Sequence, residues 1–238
     1  MNFGYVPTSF VDSPDGAASV VFFDECNMSC SYCHQKRLLE NGGEFSLGQV
    51  VDKIRENKFH SGKPRTDWLI LSGGEPTMFP EIVSALSEIG KSTGRKVGMW
   101  SNFTLPGAAE LAMNRLDWVN VDYKMNFSKY PEGSYFVENI KKIYDTRPNM
   151  FRLTTVVDKI HDDKYLKDMR EDLMYHIISW FGPRNKIKWR FAPFRFPPDG
   201  SIPRSTDEHS EPSMAELRRR AEDIGFDDLF EKIVDGHD

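Results

Sequence analysis

The 238-residue chain has little cysteine, with three residues in all. Cys26, Cys30 and Cys33 all fall within "DECNMSCSYCHQ", Asp24 to Gln35. A disulfide framework needs an even number of thiols and an oxidising compartment, so that class is excluded. No run approaches the roughly 18 apolar residues of a membrane-spanning helix. The opening "MNFGYVPTSFVDSPDG" lacks the basic and apolar regions of a secretory signal. A cytoplasmic protein with reduced thiols is therefore expected. Positive charge is not in excess either: 31 Lys and Arg stand against 36 Asp and Glu, for a net charge of −5. That balance excludes a surface built as a whole for nucleic acid. Repeats and low-complexity segments are also absent. What remains, 39% hydrophobic and 28% charged residues, supplies a core and is too apolar for a disordered chain.

Short apolar, β-branched runs alternate with helical patterns along the chain. Strands are expected at Ala17–Asp24, Asp67–Ser72, Lys96–Ser101, Asp117–Lys124, Phe151–Asp158 and Ile187–Phe194. Helices are expected near Ser46–Asn57, Pro80–Thr93, Pro106–Asn114, Ser134–Asp145 and Asp162–Phe181, several opening on a capping residue or an early proline. Strands separated by helices argue for parallel βαβ units with right-handed crossovers. Periodicity alone leaves a barrel and an open doubly wound sheet equally acceptable. From Pro197 onward the sequence turns polar and Pro-rich, with a short helix expected at Met214–Asp223. The organisation expected is a core over residues 1–196, with 197–238 a connector and helical tail packed on the same domain.

The cysteines follow the first strand directly. Cys30-Ser-Tyr-Cys33-His34 matches the pattern for covalent haem attachment, which normally requires export and leaves Cys26 idle. Cys26, Cys30, Cys33 and His34 also form a Cys₃His set for zinc, although adjacent residues seldom both reach one tetrahedral ion. The third reading is a [4Fe–4S] cluster held by three thiolates, with one iron open.

Polar residues gather at the other strand ends. Gly73 and Gly74 have no Cβ and let a ligand approach the backbone. Glu75 offers a carboxylate to a cation; the plainer alternative is a glycine turn. Ser101 and Asn102 suit a ribose or carboxylate, or a helix cap. Alternation places Asp122 and Lys124 on one side of their strand, as a ligand site or an ion pair. Arg152 reaches a carboxylate or caps the barrel edge. Arg190, Phe194 and Arg195 line a groove or fill the core.

The C-x₃-C-x₂-C loop, the aromatic Tyr32 before its last cysteine, and G-G-E-P about 40 residues further on together resemble the radical S-adenosylmethionine (radical SAM) superfamily. The resemblance implies a partial (β/α)6 TIM-like barrel. It implies Cys26, Cys30 and Cys33 as ligands of a [4Fe–4S] cluster and S-adenosylmethionine on the open iron. Tyr32, Gly73, Gly74, Glu75, Ser101, Asn102, Asp122, Lys124 and Arg152 would then line the cofactor site. The lead-in "TSFVDSPDGAASVVFFDECNMSCSYCH" and the D-x-K pair resemble the activating enzymes of anaerobic ribonucleotide reductase and pyruvate formate-lyase. That implies reductive cleavage of the cofactor and hydrogen abstraction from a glycine of a large glycyl radical enzyme, with a flavodoxin-like donor. The departures are Glu25 in place of glycine before the first cysteine, and Gln35-Lys36-Arg37 after His34. A compact, single-cluster relative by the same logic is 7-carboxy-7-deazaguanine synthase. A non-catalytic metal-binding module is the reading from a different class.

Overall fold

The computed structural model describes residues 1–125, 129–130, 134–147, 150–158, 161–181, 189–193 and 212–223. Its frame is one seven-stranded sheet whose spatial order follows the chain: β1 (Phe3–Ser9), β2 (Ala18–Phe23), β3 (Trp68–Gly73), β4 (Lys96–Ser101), β5 (Trp118–Asp122), β6 (Phe151–Val157) and β7 (Trp189–Pro193). The pair β1–β2 is antiparallel; every later pair is parallel. Among the described residues β1 and β7 do not pair, so the six parallel strands form an open, partial barrel rather than a closed one. Connecting helices are α1 (Lys36–Asn41), α2 (Leu47–Glu56), α3 (Pro80–Ser92), α4 (Ala108–Arg115), α5 (Phe136–Thr146), α6 (Asp163–Phe181) and α7 (Met214–Asp223).

Local chemistry explains the helix starts. Ser46 caps α2 in a reciprocal box with Gln49, satisfying donors that the first turn leaves free. Pro80 opens α3, where a missing N–H costs nothing. α4 starts later than the Pro106 pattern suggests, because Gly107 takes a left-handed conformation at φ 76° before it. Two elements were not foreseen. β1 carries mostly exposed or half-buried residues, and it is held by its pairing with β2, by the buried Phe3 ring against Phe23 and by a bridge to Phe45. α1 is a six-residue turn with no buried side chain and little apolar periodicity. The strand expected through Lys124 ends at Asp122, since Tyr123 N–H and Lys124 N–H turn to Thr154 O and Tyr130 Oη.

The two faces of the sheet are filled differently. One face meets the helices in the main core, with Val21, Leu69, Leu71, Val97, Val119 and Leu153 among its strand residues. α7 joins that core through Leu217 and Ala221. The opposite, inner face carries Ala18, Val20, Ile70, Trp68 and Trp118, with Phe22 and Trp100 packed against them. The β1–β2 connection closes the lower end of this face: Trp100 Nε1 donates to Asp12 O at 2.8 Å and Trp68 Nε1 to Asp15 Oδ1 at 2.7 Å. With its floor filled by indoles, the inner face leaves chemistry to the upper ends of the strands, as in other barrels. Among the described residues no helix is long and apolar enough to cross a membrane.

Candidate active site

The cysteine loop leaves the upper end of β2. Cys26, Cys30 and Cys33 are all free and half-buried. All three line one cavity of about 660 Å³ together with Asp24, Glu25, Lys36 and Met78. His34 lines a different cavity of about 510 Å³, beside Gly4, Tyr5 and Leu38. The sequence's Cys₃His combination is therefore split between two cavities, and the thiols are left as the donor set. Among the described residues no three Cys, His, Asp or Glu side chains close around a single ion. A cubane asks for less, because each thiolate takes a separate iron. Burial pushes the Cys26 thiol up to about 11, and it raises Cys33 as well. Both thiols must give up protons to ligate iron. The residues fit the cluster that the sequence pattern implies.

The Gly73-Gly74-Glu75 turn follows β3 and is pressed against the cysteine loop. Gly74 N–H donates to Phe23 O and Glu75 N–H to Glu25 O, each at 2.7 Å. A Cβ on Gly74 would lie 1.9 Å from Glu25 O; one on Gly73, whose φ is 96°, would lie 2.6 Å from Phe23 N. The close approach that demands both glycines is thus made by the chain's own cluster loop.

Glu75 is fully buried. Its Oε1 accepts from Thr77 N (3.0 Å), Thr77 Oγ1 (2.6 Å) and Ser101 Oγ (2.7 Å), and Oε2 accepts from Asn102 N (2.7 Å). Burial raises this carboxyl above its ordinary range, and the donors from Thr77, Asn102 and Ser101 pull it back. Oε2 carries one donor and has room for another, which suits an incoming ammonium. Ser101 and Asn102 act here by holding Glu75, while the helix that follows is preceded by Gly107.

Asp122 and Lys124 meet as expected on the inner side, with Lys124 Nζ 3.0 Å from Asp122 Oδ2. Burial opposes the ammonium charge, but Asp122, Tyr32 and Cys30 outweigh it and hold Lys124 well above its usual value. Lys124 Nζ lies 5.7 Å over the Tyr32 ring. Burial raises the Tyr32 phenol to about 12, so it stays neutral. Sequence reading missed three neighbours. Tyr130 Oη takes the Lys124 N–H at 3.1 Å. Buried His161 stands edge-on to Tyr32 at 6.0 Å and to Tyr165 at 5.3 Å. No sequence motif marks them; they arrive from loops and from the start of α6. Arg152 sits lower on the inner face, level with Asn120, donating to its Oδ1 at 3.1 Å and stacking 5.0 Å over Trp118. It belongs to the barrel floor rather than its edge. Arg190 pairs in register with Thr154 and faces Asp12. Phe194, Arg195 and the stretch 197–211 lie outside the described residues.

Comparison with known proteins agrees with this geometry. Residues 20–173 match the family profile of the Radical SAM superfamily. A Methanocaldococcus jannaschii protein named "Putative glycyl-radical enzyme activating enzyme" is 30% identical over 216 residues, 84% of this chain and 87% of that one. A 7-carboxy-7-deazaguanine synthase of Methanothermobacter thermautotrophicus is 28% identical over 51% of this chain and 44% of its own. The structure of TYW1 with a lysine-pyruvate adduct aligns with a TM-score of 0.52 at 11% identity, over 88% of this chain and 73% of that one, a likeness of fold. With three thiols on one cavity, a G-G-E-P turn locked to their loop and a partial barrel beneath, the chain belongs to the radical SAM superfamily.

Proposed function

We propose that this protein activates a glycyl radical enzyme by abstracting hydrogen from a glycine of that partner. The observation that carries the reading is the likeness to the archaeal protein named for that activity, which runs through nearly the whole of both chains. The likeness to the deazaguanine synthase stops at about half of this chain.

Cys26, Cys30 and Cys33 would hold a [4Fe–4S] cluster, which together with S-adenosylmethionine would supply the one-electron radical chemistry needed for hydrogen abstraction. The chain's own part is to bind, orient and exclude water. Glu75 would accept the cofactor's ammonium, and its four internal donors prevent the carboxylate from swinging away. Lys124 and its ion-pair partner Asp122 would contact S-adenosylmethionine from the end of β5. Tyr32 lies beneath the Lys124 ammonium and Tyr130 accepts the Lys124 backbone N–H, so both help to place the pair. Gly73, Gly74, Ser101 and Asn102 shape the cleft by holding Glu75 against the cluster loop. The tryptophan-filled inner face leaves the partner's glycine loop to enter at the upper rim. A flavodoxin-class donor and a cytoplasmic setting, where thiols remain reduced, complete the reading.

The test is anaerobic. Reconstituted protein is incubated with reductant, S-adenosylmethionine and the glycyl radical enzyme encoded beside it or in the same genome. The expected result is a doublet electron paramagnetic resonance signal on the partner, and transfer of deuterium from its glycine α position into 5′-deoxyadenosine. Turnover of 6-carboxytetrahydropterin without a partner radical would sink the proposal in favour of the synthase reading.

A further inference from the structure

Three side chains at the upper rim form a closed ring of hydrogen bonds that neither cluster ligation nor cofactor binding requires. Asn27 Nδ2 donates to Thr104 Oγ1 at 2.9 Å. Thr104 Oγ1 donates to Asn102 Oδ1 at 2.7 Å. Asn102 Nδ2 donates to Asn27 Oδ1 at 2.8 Å and closes the circle. Every donor points the same way round, so each group accepts one ring bond and donates one. Reversing either amide would set donor against donor. Asn102 and Thr104 are buried, at 4% and 8% exposure. Asn27, itself exposed, directly follows Cys26 in the cysteine loop.

The residue between the two buried partners is held in a costly conformation. Phe103 has φ 57°, the left-handed region, and is the one non-glycine residue with positive φ among those described. A buried aromatic there is unfavourable unless its surroundings impose it. They do so through three bonds: Phe103 N–H to Ser101 Oγ at 3.0 Å, Thr104 N–H to Asn102 Oδ1 at 3.0 Å, and Asn139 Nδ2 to Phe103 O at 2.9 Å. The turn brings Asn102 and Thr104 to one amide of the cluster loop. The backbone N–H of Asn102 meanwhile holds Glu75 Oε2.

We propose that Asn27, Asn102 and Thr104 form a positioning latch that fixes the cluster loop relative to the Glu75 carboxylate. The cluster and the cofactor's ammonium site are then set by one rigid unit. Without the ring, the loop would still be joined to the turn by Glu75 N–H and Glu25 O. That bond fixes the backbone after β2 but leaves the segment between Cys26 and Cys30 without a side-chain anchor on the turn after β4. The inference rests on the superfamily membership and on the Glu75 role proposed above, and it is independent of which molecule donates hydrogen.

Thr104 is the place to test it, because it touches neither the thiols nor Glu75. Thr104→Val removes the ring oxygen at nearly constant volume, and Thr104→Ser restores the oxygen while losing the methyl. In cluster-loaded protein, Thr104→Val is expected to weaken S-adenosylmethionine binding by roughly tenfold, the scale of supporting contacts around metal sites. It should also reduce the cofactor-induced shift in the electron paramagnetic resonance of the reduced cluster. Thr104→Ser should keep both near wild type. In cluster-free protein, hydrogen exchange at residues 25–33 should speed up in the Val variant and stay slow in the Ser variant. Equal exchange and equal binding in Val and wild type would overturn the latch, and so would a Ser variant as impaired as Val. If wild-type protein bound no S-adenosylmethionine, the functional reading would fall, while the exchange comparison would still decide the ring.

Discussion

At the scale of single residues, the glycines and the buried histidine make the sharpest claims. Gly74 faces Glu25 O so closely that a Cβ would overlap a backbone atom, and neither neighbour is a flexible side-chain end. Gly74→Ala is therefore expected to cost about 1–3 kcal/mol by forced displacement. It should also lower iron incorporation, since the displaced segment is the cysteine loop. Urea midpoints and iron per chain, measured on the same preparation, check both. His161 gives a pH dependence. Burial lowers its pKa to about 4, Arg220 and Lys124 act in the same direction, and Asp158 opposes them. The folded state thus holds the ring neutral while the unfolded chain protonates near 6.5. Its contribution is present above pH 6.5 and is lost as pH falls from 6.5 towards 4. Over that window the loss approaches roughly 3 kcal/mol. Denaturation midpoints of cluster-free wild type and His161→Gln between pH 7.5 and 4.5 are expected to converge at the acid end. Parallel curves would refute the assignment.

At the scale of elements, the upper rim is held together by side chains from helices that carry no chemistry. Asn139 on α5 donates to Phe103 O at 2.9 Å and Leu105 O at 2.8 Å, and its Oδ1 accepts from Ala109 N at 3.1 Å. Asn139→Leu takes this partner from Phe103 O and Ala109 N–H, which are buried, and from Leu105 O, which is half-buried. It is expected to destabilise the protein by roughly 2–4 kcal/mol, at the upper end for a single substitution. A calorimetric melt of the cluster-free protein checks this. Most elements were legible in the sequence: β2 to β6 are largely apolar runs with most residues buried, and α2 and α3 announce themselves by a cap and a proline. β1 and α1 escaped notice because the sheet edge and the loop hold them in place, not their own apolar pattern. The site divided in the same way. Its cysteines, G-G-E-P turn and D-x-K pair are short-range patterns, visible in the sequence and singled out by the family resemblance. The ring through Asn27 and the His161–Tyr32 contact join residues far apart in the chain, so only the folded arrangement reveals them. Gly73 and Gly74 were noticed for the right stereochemical reason, but their demanding neighbour is the protein itself.

At the scale of the whole molecule, the sheet keeps strict chain order from β1 to β7. No strand has to be inserted between two others already paired. Each strand docks on the edge left by the one before it, although every parallel pair must first close a helical crossover, which slows such pairing. The order also has a direction during synthesis. By the time Thr104 has left the ribosome, the cysteine loop, the Glu75 turn and the ring that joins them are all present in the nascent chain, with β5 to β7 still to come. The residues that hold the cysteine loop against β3 and the turn after β4 thus precede the far wall of the barrel in the chain, while Asn139, which fixes Phe103 O, arrives later with α5.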